Sequence, residues 1–188
     1  DLCKKEGVDF ILAVGGGSTI DSSKAIAAGS VYDGDYLDFY RGKEKITKAL
    51  PIGTVLTIAA AGSEGSPNTV ITDESTGLKK GSRGECLRPK FSIMDPTLTF
   101  TLPAYQTAAG ATDIMAHICE RYFSNTEGVE VTDRLCEGLL KTMIKEAPIA
   151  VKEPENYDAR ANIMWAGMLA HNNICGVERV QDWASHHI

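Results

Sequence analysis

The sequence has no dense block of basic residues and no long apolar run. Its 19 Lys and Arg are outnumbered by 25 Asp and Glu, which gives a formal net charge of −6. A nucleic-acid-binding surface needs clustered positive charge, and the basic residues of the 79–90 segment are interleaved with Gly, Ser and Glu. No segment approaches the roughly 20 apolar residues that cross a bilayer, and none resembles a signal peptide. We therefore expect no nucleic-acid partner, no membrane association and a cytoplasmic location.

The cysteines lack the spacing of a metal finger or a CxxC redox pair. There are five of them, namely Cys3, Cys86, Cys119, Cys136 and Cys175. Scattered thiols of this kind are typical of a reducing cytosol. The sequence also lacks a Gly-x-Ser-x-Gly elbow, since Ser63 is followed by Glu64, and this disfavours nucleophilic serine catalysis.

A glycine-rich turn stands out among the features that are present. The apolar stretch 9–14 predicts a strand, Gly15, Gly16 and Gly17 follow it, and a helix is predicted over about 19–28. Such a turn brings bare backbone N–H groups to a helix N-terminus, where a phosphate or pyrophosphate can bind. The alternative is that Ser18 and Asp21 form only a capping box that closes an ordinary strand-to-helix turn. The turn alone leaves both interpretations open.

The pattern along the chain changes near residue 100. Before that point we predict a strand buried on both faces at 9–14, a second buried strand at 51–58 and a short strand at 90–94. We also predict a β-rich piece at 68–72 and a mobile turn or loop over 73–88. After residue 100 we predict helices at about 104–123, 130–146 and 158–174, with another beginning near Val180 and a break in the Pro148–Pro154 region. The predicted fold class is α/β followed by all-α, with domains at residues 1–100 and 101–188.

The two ends of the sequence suggest a piece of a longer protein. The chain opens on Asp1 rather than Met, within a predicted helix, and it stops at Ile188 in the first turns of another predicted helix. We expect the 188 residues on their own to be catalytically inactive.

A second candidate site comes from the spacing of acidic residues and histidines. Asp113 and His117 lie four residues apart on a predicted helix, which puts both side chains on one face where they can bind one cation. An ordinary hydrogen-bonded i, i+4 pair is the alternative. His186 and His187 are neighbours on a later helix, so at most one of them can face a given site. For Glu120, three residues after His117, the surface is the favoured position, and a contact behind the site is the weaker option.

Taken together, these motifs resemble the iron-containing (group III) alcohol dehydrogenases. The resemblance rests on Gly15-Gly16-Gly17-Ser18-x-x-Asp21-x-x-Lys24, Thr57-Ile58-Ala59-Ala60-Ala61-Gly62-Ser63-Glu64, Asp95-Pro96 and Gly110-x-x-Asp113-x-x-x-His117. The segment Asp182-Trp183-Ala184-Ser185-His186 is similar to the NAD(P)H-dependent butanol dehydrogenase branch. The set covers essentially the whole chain.

The resemblance implies a Rossmann-like dinucleotide-binding domain and a helical metal-binding domain, with the active site in the cleft between them. Implied cofactor-binding residues for NAD or NADP are Gly15, Gly16, Gly17, Ser18, Asp21, Thr57, Ala60, Ser63 and Lys79 (or Lys80). Implied catalytic metal ligands for Fe²⁺ or Zn²⁺ are Asp113, His117 and His186, whereas His171 and His187 match no ligand position. A small alcohol or aldehyde substrate and a homodimer are also implied. The family's fourth ligand is expected beyond Ile188, and its first α/β segment before Asp1.

Other reaction classes remain open at this stage. The same superfamily contains glycerol-type polyol dehydrogenases and dehydroquinate-synthase-like lyases, although the helical half offers few basic residues for a phosphorylated substrate. A further alternative is a nucleotide- or metal-binding fragment without turnover.

Overall fold

The computed structural model describes residues 2–187, and they form two compact units. The first contains Ser63–Ile93 and the chain up to Leu56, whereas the second contains Thr57–Gly62 and the chain from Met94 onward. The α/β-then-helical fold class is confirmed. No helix within residues 2–187 combines the length and the apolar character needed to span a membrane.

The first unit is built on a three-stranded parallel sheet. Helix α1 (Leu2–Glu6) ends before Gly7, whose φ of +64° suits the expected helix-ending glycine. The strands β1 (Ile11–Gly15), β2 (Ile52–Leu56) and β5 (Phe91–Ile93) lie in the order β1-β2-β5. Helix α2 (Gly17–Ser30) connects β1 to β2. Because the strands are parallel, Gly15 and Leu56 are register partners at the carboxyl edge of the sheet, where ligands of such sheets bind.

Within the described residues β1 is exposed on one face, although the strand at 9–14 is expected to be buried on both, and β5 is exposed on the same face. Ala13 is buried, but Leu12 and Val14 are 53% and 56% exposed. Phe91 and Ile93, which share the exposed face through the register of β2, are exposed as well. An apolar run fixes the strand but not what covers each face, because both faces carry similar side chains.

The expectation of a mobile turn or loop over residues 73–88 is wrong for residues 78–83, which form a strand. Strands β3 (Asn68–Asp73) and β4 (Leu78–Arg83) form an antiparallel hairpin in which Thr72 pairs with Lys79. Its turn contains Gly77, with a φ of +68°. The polar side chains of β4 are nearly all exposed, so the strand is held by backbone pairing and lacks the apolar alternation that sequence patterns detect.

The second unit packs three long helices around one apolar core. They are α3 (Ala104–Tyr122), α4 (Glu130–Lys152) and α5 (Tyr157–His171), and their contacts bury Ile114, Ile118, Met143 and Ile163. The short helix α6 (Ala184–His187) follows. Helix α4 runs through Pro148 instead of breaking there. The carbonyl that loses its donor belongs to Ile144, a residue 64% exposed, where water can replace the missing N–H.

Candidate functional site

Two groups of candidate site residues lie in different units. The glycine turn, Asp21, Ser63 and Lys79 belong to the first unit, and Asp113, His117 and His186 belong to the second. Thr57 and Ala60 also lie in the second unit, in the segment that follows β2.

The glycine turn presents the N-terminus of α2 without a side-chain cap. The helix begins at Gly17, two residues earlier than predicted, and its N-cap is Gly16 in an extended conformation with no side-chain hydrogen bond. The first backbone bond back to the cap is donated by Ile20. The amides of Gly17, Ser18 and Thr19 therefore precede the helical hydrogen-bond ladder, which is the arrangement that suits an anion.

The capping-box interpretation of Ser18 and Asp21 is wrong. One carboxylate oxygen of Asp21 accepts a hydrogen bond from the Ser63 hydroxyl, and the other accepts from the backbone N–H of Val70 at 3.0 Å. Asp21 thus ties α2 to the segment after β2 and to the β3–β4 hairpin that carries Lys79. Burial raises the pKa of Asp21, while Ser63 and Lys24 act in the opposite direction.

Gly15 marks a close approach between the end of β1 and the start of α2. A Cβ at this position would lie 2.5 Å from the Thr19 hydroxyl oxygen, closer than real Cβ contacts occur. The position accepts only glycine unless the Thr19 side chain moves. Backbone that is bare of side chains at a helix N-terminus is also what a bound pyrophosphate requires, so steric and binding requirements coincide here.

Asp113, His117 and His186 form one cluster of metal-binding character. Each can offer one ligand atom, and the three atoms lie within 4.8 Å of one another. Donors about 2.0–2.2 Å from a metal ion are separated by at most about 4.4 Å, so the cluster is close to the required dimensions. Asp113 Oδ1 and His186 Nε2 are already 3.6 Å apart. One carboxylate with two imidazoles fits either Fe²⁺ or Zn²⁺.

Hydrogen bonds assign the ring nitrogens of the two histidines. His117 Nδ1 donates to the Asp113 backbone carbonyl at 2.8 Å, while the Asp113 carboxylate is 3.7 Å away. Asp113 and His117 are therefore not joined by the direct side-chain hydrogen bond of the alternative interpretation. His186 Nδ1 donates to Glu120 Oε1 at 2.9 Å. With each Nδ1 engaged, each Nε2 keeps the lone pair that a metal ion needs.

Burial tunes the cluster for binding a cation near neutral pH. His117 is 6% exposed, and desolvation lowers its pKa although the Asp113 carboxylate opposes the shift. The imidazole is consequently neutral at pH 7, which is the form that coordinates metals. The Arg121 guanidinium donates to the His117 backbone carbonyl at 2.7 Å and lies 4.4 Å from the centre of the Trp183 ring. Arg121 and Trp183 thereby pack beside His117 and help to hold it in place.

Glu120 is the residue that sequence reasoning placed wrongly. It is buried, at 7% exposure, and not on the surface. Its Oε1 accepts hydrogen bonds from Ser185 and from His186. Although desolvation opposes the shift, these two hydrogen bonds hold the pKa of Glu120 below its usual value. Its position three residues after His117 gives the weaker expectation, a contact behind the site, and the bond to His186 agrees with that expectation.

His171, which matches no ligand position, lies beside the cluster. Its ring centre is 4.5 Å from that of His117, and its Nδ1 is 3.2 Å from the Arg121 guanidinium. Its Cβ would be 2.6 Å from a Cβ at Gly62, a position whose φ of +63° favours glycine. These contacts make His171 part of the packing around the cluster.

Comparison with known proteins identifies the family of this chain. The family description "Iron-containing alcohol dehydrogenase" matches residues 1–96, and "Fe-containing alcohol dehydrogenase family, C-terminal" matches residues 107–188. NADH-dependent butanol dehydrogenase A of Clostridium acetobutylicum is 48% identical over 186 residues, which cover 99% of this chain and 48% of that protein. NADPH-dependent aldehyde reductase YqhD of Escherichia coli is 42% identical over 188 residues, covering 98% and 49% respectively.

A solved structure extends the likeness to three dimensions. The crystal structure of NADH-dependent butanol dehydrogenase A from Thermotoga maritima superposes with a TM-score of 0.95 at 45% sequence identity, covering 98% of this chain and 46% of that one. The chain thus spans about half the length of the relatives it matches. The family matches and these likenesses show that the chain belongs to the iron-containing alcohol dehydrogenase family, in its butanol dehydrogenase branch.

Proposed function

We propose that the full-length protein is a metal-dependent, NAD(P)-linked alcohol dehydrogenase or aldehyde reductase. The observation that carries this proposal is the Asp113, His117 and His186 cluster in a chain of this family. A bound Fe²⁺ or Zn²⁺ would supply Lewis acidity toward an alcohol or aldehyde, and a bound nicotinamide would supply or accept the hydride. Relatives named for NADH and for NADPH support both cofactors as candidates.

In this proposal the second unit supplies the metal ligands. Asp113 contributes a carboxylate oxygen, and His117 and His186 contribute their Nε2 atoms. The bonds from His117 Nδ1 to the Asp113 carbonyl and from His186 Nδ1 to Glu120 fix the orientation of both rings. Ligands held in place before the metal binds lose little conformational freedom on binding, which favours affinity.

The first unit supplies most of the cofactor cradle in this proposal, and Thr57 and Ala60 are contributed by the second unit. Gly15, Gly16, Gly17 and Ser18 bind the pyrophosphate through the uncapped amides of α2. The carboxylate of Asp21 and the hydroxyl of Ser63, joined by a hydrogen bond, stand on the nicotinamide side. Thr57 and Ala60 complete that side, and Lys79 reaches the ribose from the β3–β4 hairpin.

Domain organisation, assembly and location follow as further proposals. We propose that residues 1–100 belong to the dinucleotide-binding domain and residues 101–188 to the helical metal-binding domain. The change from parallel strands to long helices after β5 supports this division. A homodimer in the cytoplasm is proposed as well, and the free state of all five cysteines agrees with a reducing compartment.

The proposal is tested on the full-length protein. After loading with Fe²⁺ or Zn²⁺, NAD(P)H absorbance should fall when short-chain aldehydes are added, and a chelator should stop the reaction. Elemental analysis should find about one metal ion per chain. Asp113→Ala and His186→Ala should each reduce metal affinity by at least about tenfold.

Asp158→Ala serves as the matched control for these variants, because Asp158 is an exposed aspartate on α5. It should keep the metal content and the rate of the unaltered protein. The proposal fails if metal-loaded protein leaves NAD(P)H absorbance unchanged with every aldehyde tested. Anomalous scattering from a metal bound elsewhere would reject the assigned ligands but not the activity.

A further inference from the structure

We propose that Glu120 is a positioning residue that fixes the orientation and tautomer of His186, the third metal-binding side chain. This inference rests on the proposed function, because His186 matters to the metal only if the cluster binds one. Glu120 is not itself placed among the ligands. Its effect on the metal is transmitted through the imidazole ring of His186.

The need for a positioning residue arises from where His186 lies in the chain. Asp113 and His117 are held together by the regular geometry of the 19-residue helix α3. His186 lies on α6, 66 residues after Glu120 in the sequence, so the geometry of α3 does not place it. Its position beside Asp113 and His117 depends on tertiary contacts to the segment that carries it.

Glu120 provides such contacts at three points. Its backbone carbonyl accepts a hydrogen bond from the Asp182 N–H at 2.9 Å. Its Oε1 accepts from the Ser185 hydroxyl and from His186 Nδ1, the latter at 2.9 Å across 66 residues of sequence. Both the backbone and the side chain of one helical residue thus hold the segment that carries His186.

The contact to Nδ1 also decides which nitrogen of His186 is free to bind. A carboxylate cannot donate when ionised, so His186 Nδ1 must carry the proton and Nε2 must carry the lone pair. Nε2 lies 3.6 Å from Asp113 Oδ1, on the side of the ring that faces the cluster. A carboxylate that accepts a hydrogen bond from the other ring nitrogen also makes the imidazole a stronger electron-pair donor to a metal.

The competing explanation is that Glu120 only holds the local fold together. Glu120 is buried, with only 7% of its surface exposed, and it accepts a hydrogen bond from Ser185; both facts fit that explanation equally well. The two explanations differ in what they predict when Glu120 is replaced. A positioning role predicts a change in the tautomer of His186 and in the metal affinity of the cluster, whereas a purely structural role predicts only a loss of thermal stability.

The experiment compares Glu120→Ala and Glu120→Gln in the full-length protein. The probe is Zn²⁺, whose affinity is measured by competition with a chromophoric chelator. Glu120→Ala should weaken binding by about 10–100-fold, the range found when such supporting groups are removed. Glu120→Gln should fall between Ala and the unaltered protein, because the amide oxygen still accepts from Nδ1 but carries no charge.

Glu146→Ala is the matched control, since Glu146 on α4 is also 7% exposed and pairs with Lys145. It should lower Tm without changing Zn²⁺ affinity. The metal-free proteins are also compared by ¹⁵N NMR of the histidine rings. His186 should hold its proton on Nδ1 in the unaltered protein and populate both tautomers in Glu120→Ala.

The outcomes separate the inference from the proposed function. Equal Zn²⁺ affinity in Glu120→Ala and the unaltered protein, with the same His186 tautomer, overturns the inference and leaves the proposed function intact. If the unaltered protein binds no metal, the proposed function fails, and the tautomer comparison alone then decides the inference. If Glu120→Ala does not fold, the Glu120→Gln comparison decides it.

Discussion

Lys24 is a charged side chain that has no contact with solvent. It is 0% exposed, and its ammonium donates to the Ser63 hydroxyl and to the backbone carbonyls of Ser63, Ser66 and Asn68 at 2.7–2.9 Å. Burial lowers the pKa of Lys24 to about 8, although the nearby carboxylates of Asp21 and Glu64 act in the opposite direction. These hydrogen bonds connect α2 to residues 63–68.

Replacing Lys24 should therefore destabilise the first unit strongly. Lys24→Met keeps the length of the side chain but leaves several buried acceptors without a donor. We expect a loss of about 3 kcal/mol in the free energy of unfolding, or about 6–12 °C in Tm for a chain of this size. Thermal denaturation followed by circular dichroism would measure it. Lys48→Met, at an exposed position, should shift Tm by far less, and equal shifts would contradict the role of Lys24.

Glu64 should make stability depend on pH in a definite direction. It is 4% exposed, and burial raises its pKa from 4.5 to about 7. The folded chain then holds this proton more tightly than the unfolded chain, so its contribution to the free energy of unfolding falls as pH rises from about 4.5 to 7.

Glu64→Gln removes this titration. The Tm of Glu64→Gln relative to the unaltered protein should therefore increase between about pH 5 and 7.5, as measured by scanning calorimetry at both values. Glu74→Gln, a change of the same charge at an exposed position, accounts for the effect of net charge. A Tm difference that is the same at both pH values would refute the assignment.

At the scale of elements, helix α3 makes an unusually close approach to the segment after β2. A Cβ at Gly110 would lie 2.4 Å from the backbone oxygen of Ala59. Because that atom belongs to the backbone, it cannot move aside as a flexible side chain could. The same helix carries Asp113 one turn later, so the packing at Gly110 helps to fix the position of the Asp113, His117 and His186 side chains.

Two glycine-to-alanine changes should therefore have opposite effects. Gly110→Ala forces α3 away from Ala59 and should destabilise the second unit by about 1–3 kcal/mol. Gly138→Ala on α4, where nothing lies within 4 Å of the new methyl group, should stabilise it by about 0.4–1 kcal/mol through the better helix propensity of alanine. Chemical denaturation of both variants would compare the two. Stabilisation by both changes would show that the approach at Gly110 is looser than described.

Elements differed in how well the sequence predicted them, and the reason is physical. Helix α3 could be predicted closely because it has a helical apolar period and a proline just before its start. Strand β3 is predicted as the β-rich piece at 68–72, but its partner β4 is not, because the exposed Lys79 and Lys80 give β4 no apolar alternation. Pro148 predicted a break in α4 that packing on α3 and α5 overrides.

The candidate site likewise contains features that local sequence predicts and features that it does not. That Asp113 and His117 share a face follows from four-residue spacing alone, since it needs only helix geometry. That Asp21 bonds to Ser63, or Glu120 to His186, depends on contacts across 42 and 66 residues. Such contacts are set by the tertiary fold, and no local pattern in the sequence carries them.

At the scale of the whole molecule, a bound metal should be visible as added stability. The cluster joins α3 to the segment that carries His186, so a cation bound there favours the folded state over the unfolded one. At a free metal concentration about 100 times Kd, the gain is about 2.7 kcal/mol. Differential scanning fluorimetry with and without Zn²⁺ should show a higher Tm that a chelator reverses. His186→Ala should abolish most of the shift, and an undiminished shift in that variant would place the metal elsewhere.

The exposed side of the parallel sheet should affect how these 188 residues behave in solution. Its exposed apolar side chains are Leu12, Val14, Phe91 and Ile93, although strands of this type normally have helices on both faces. Exposed apolar surfaces of this kind cause proteins to aggregate or to bind other molecules. The purified polypeptide should increase the fluorescence of the dye ANS. Its light scattering should rise as ammonium sulfate is added, because that salt strengthens apolar association.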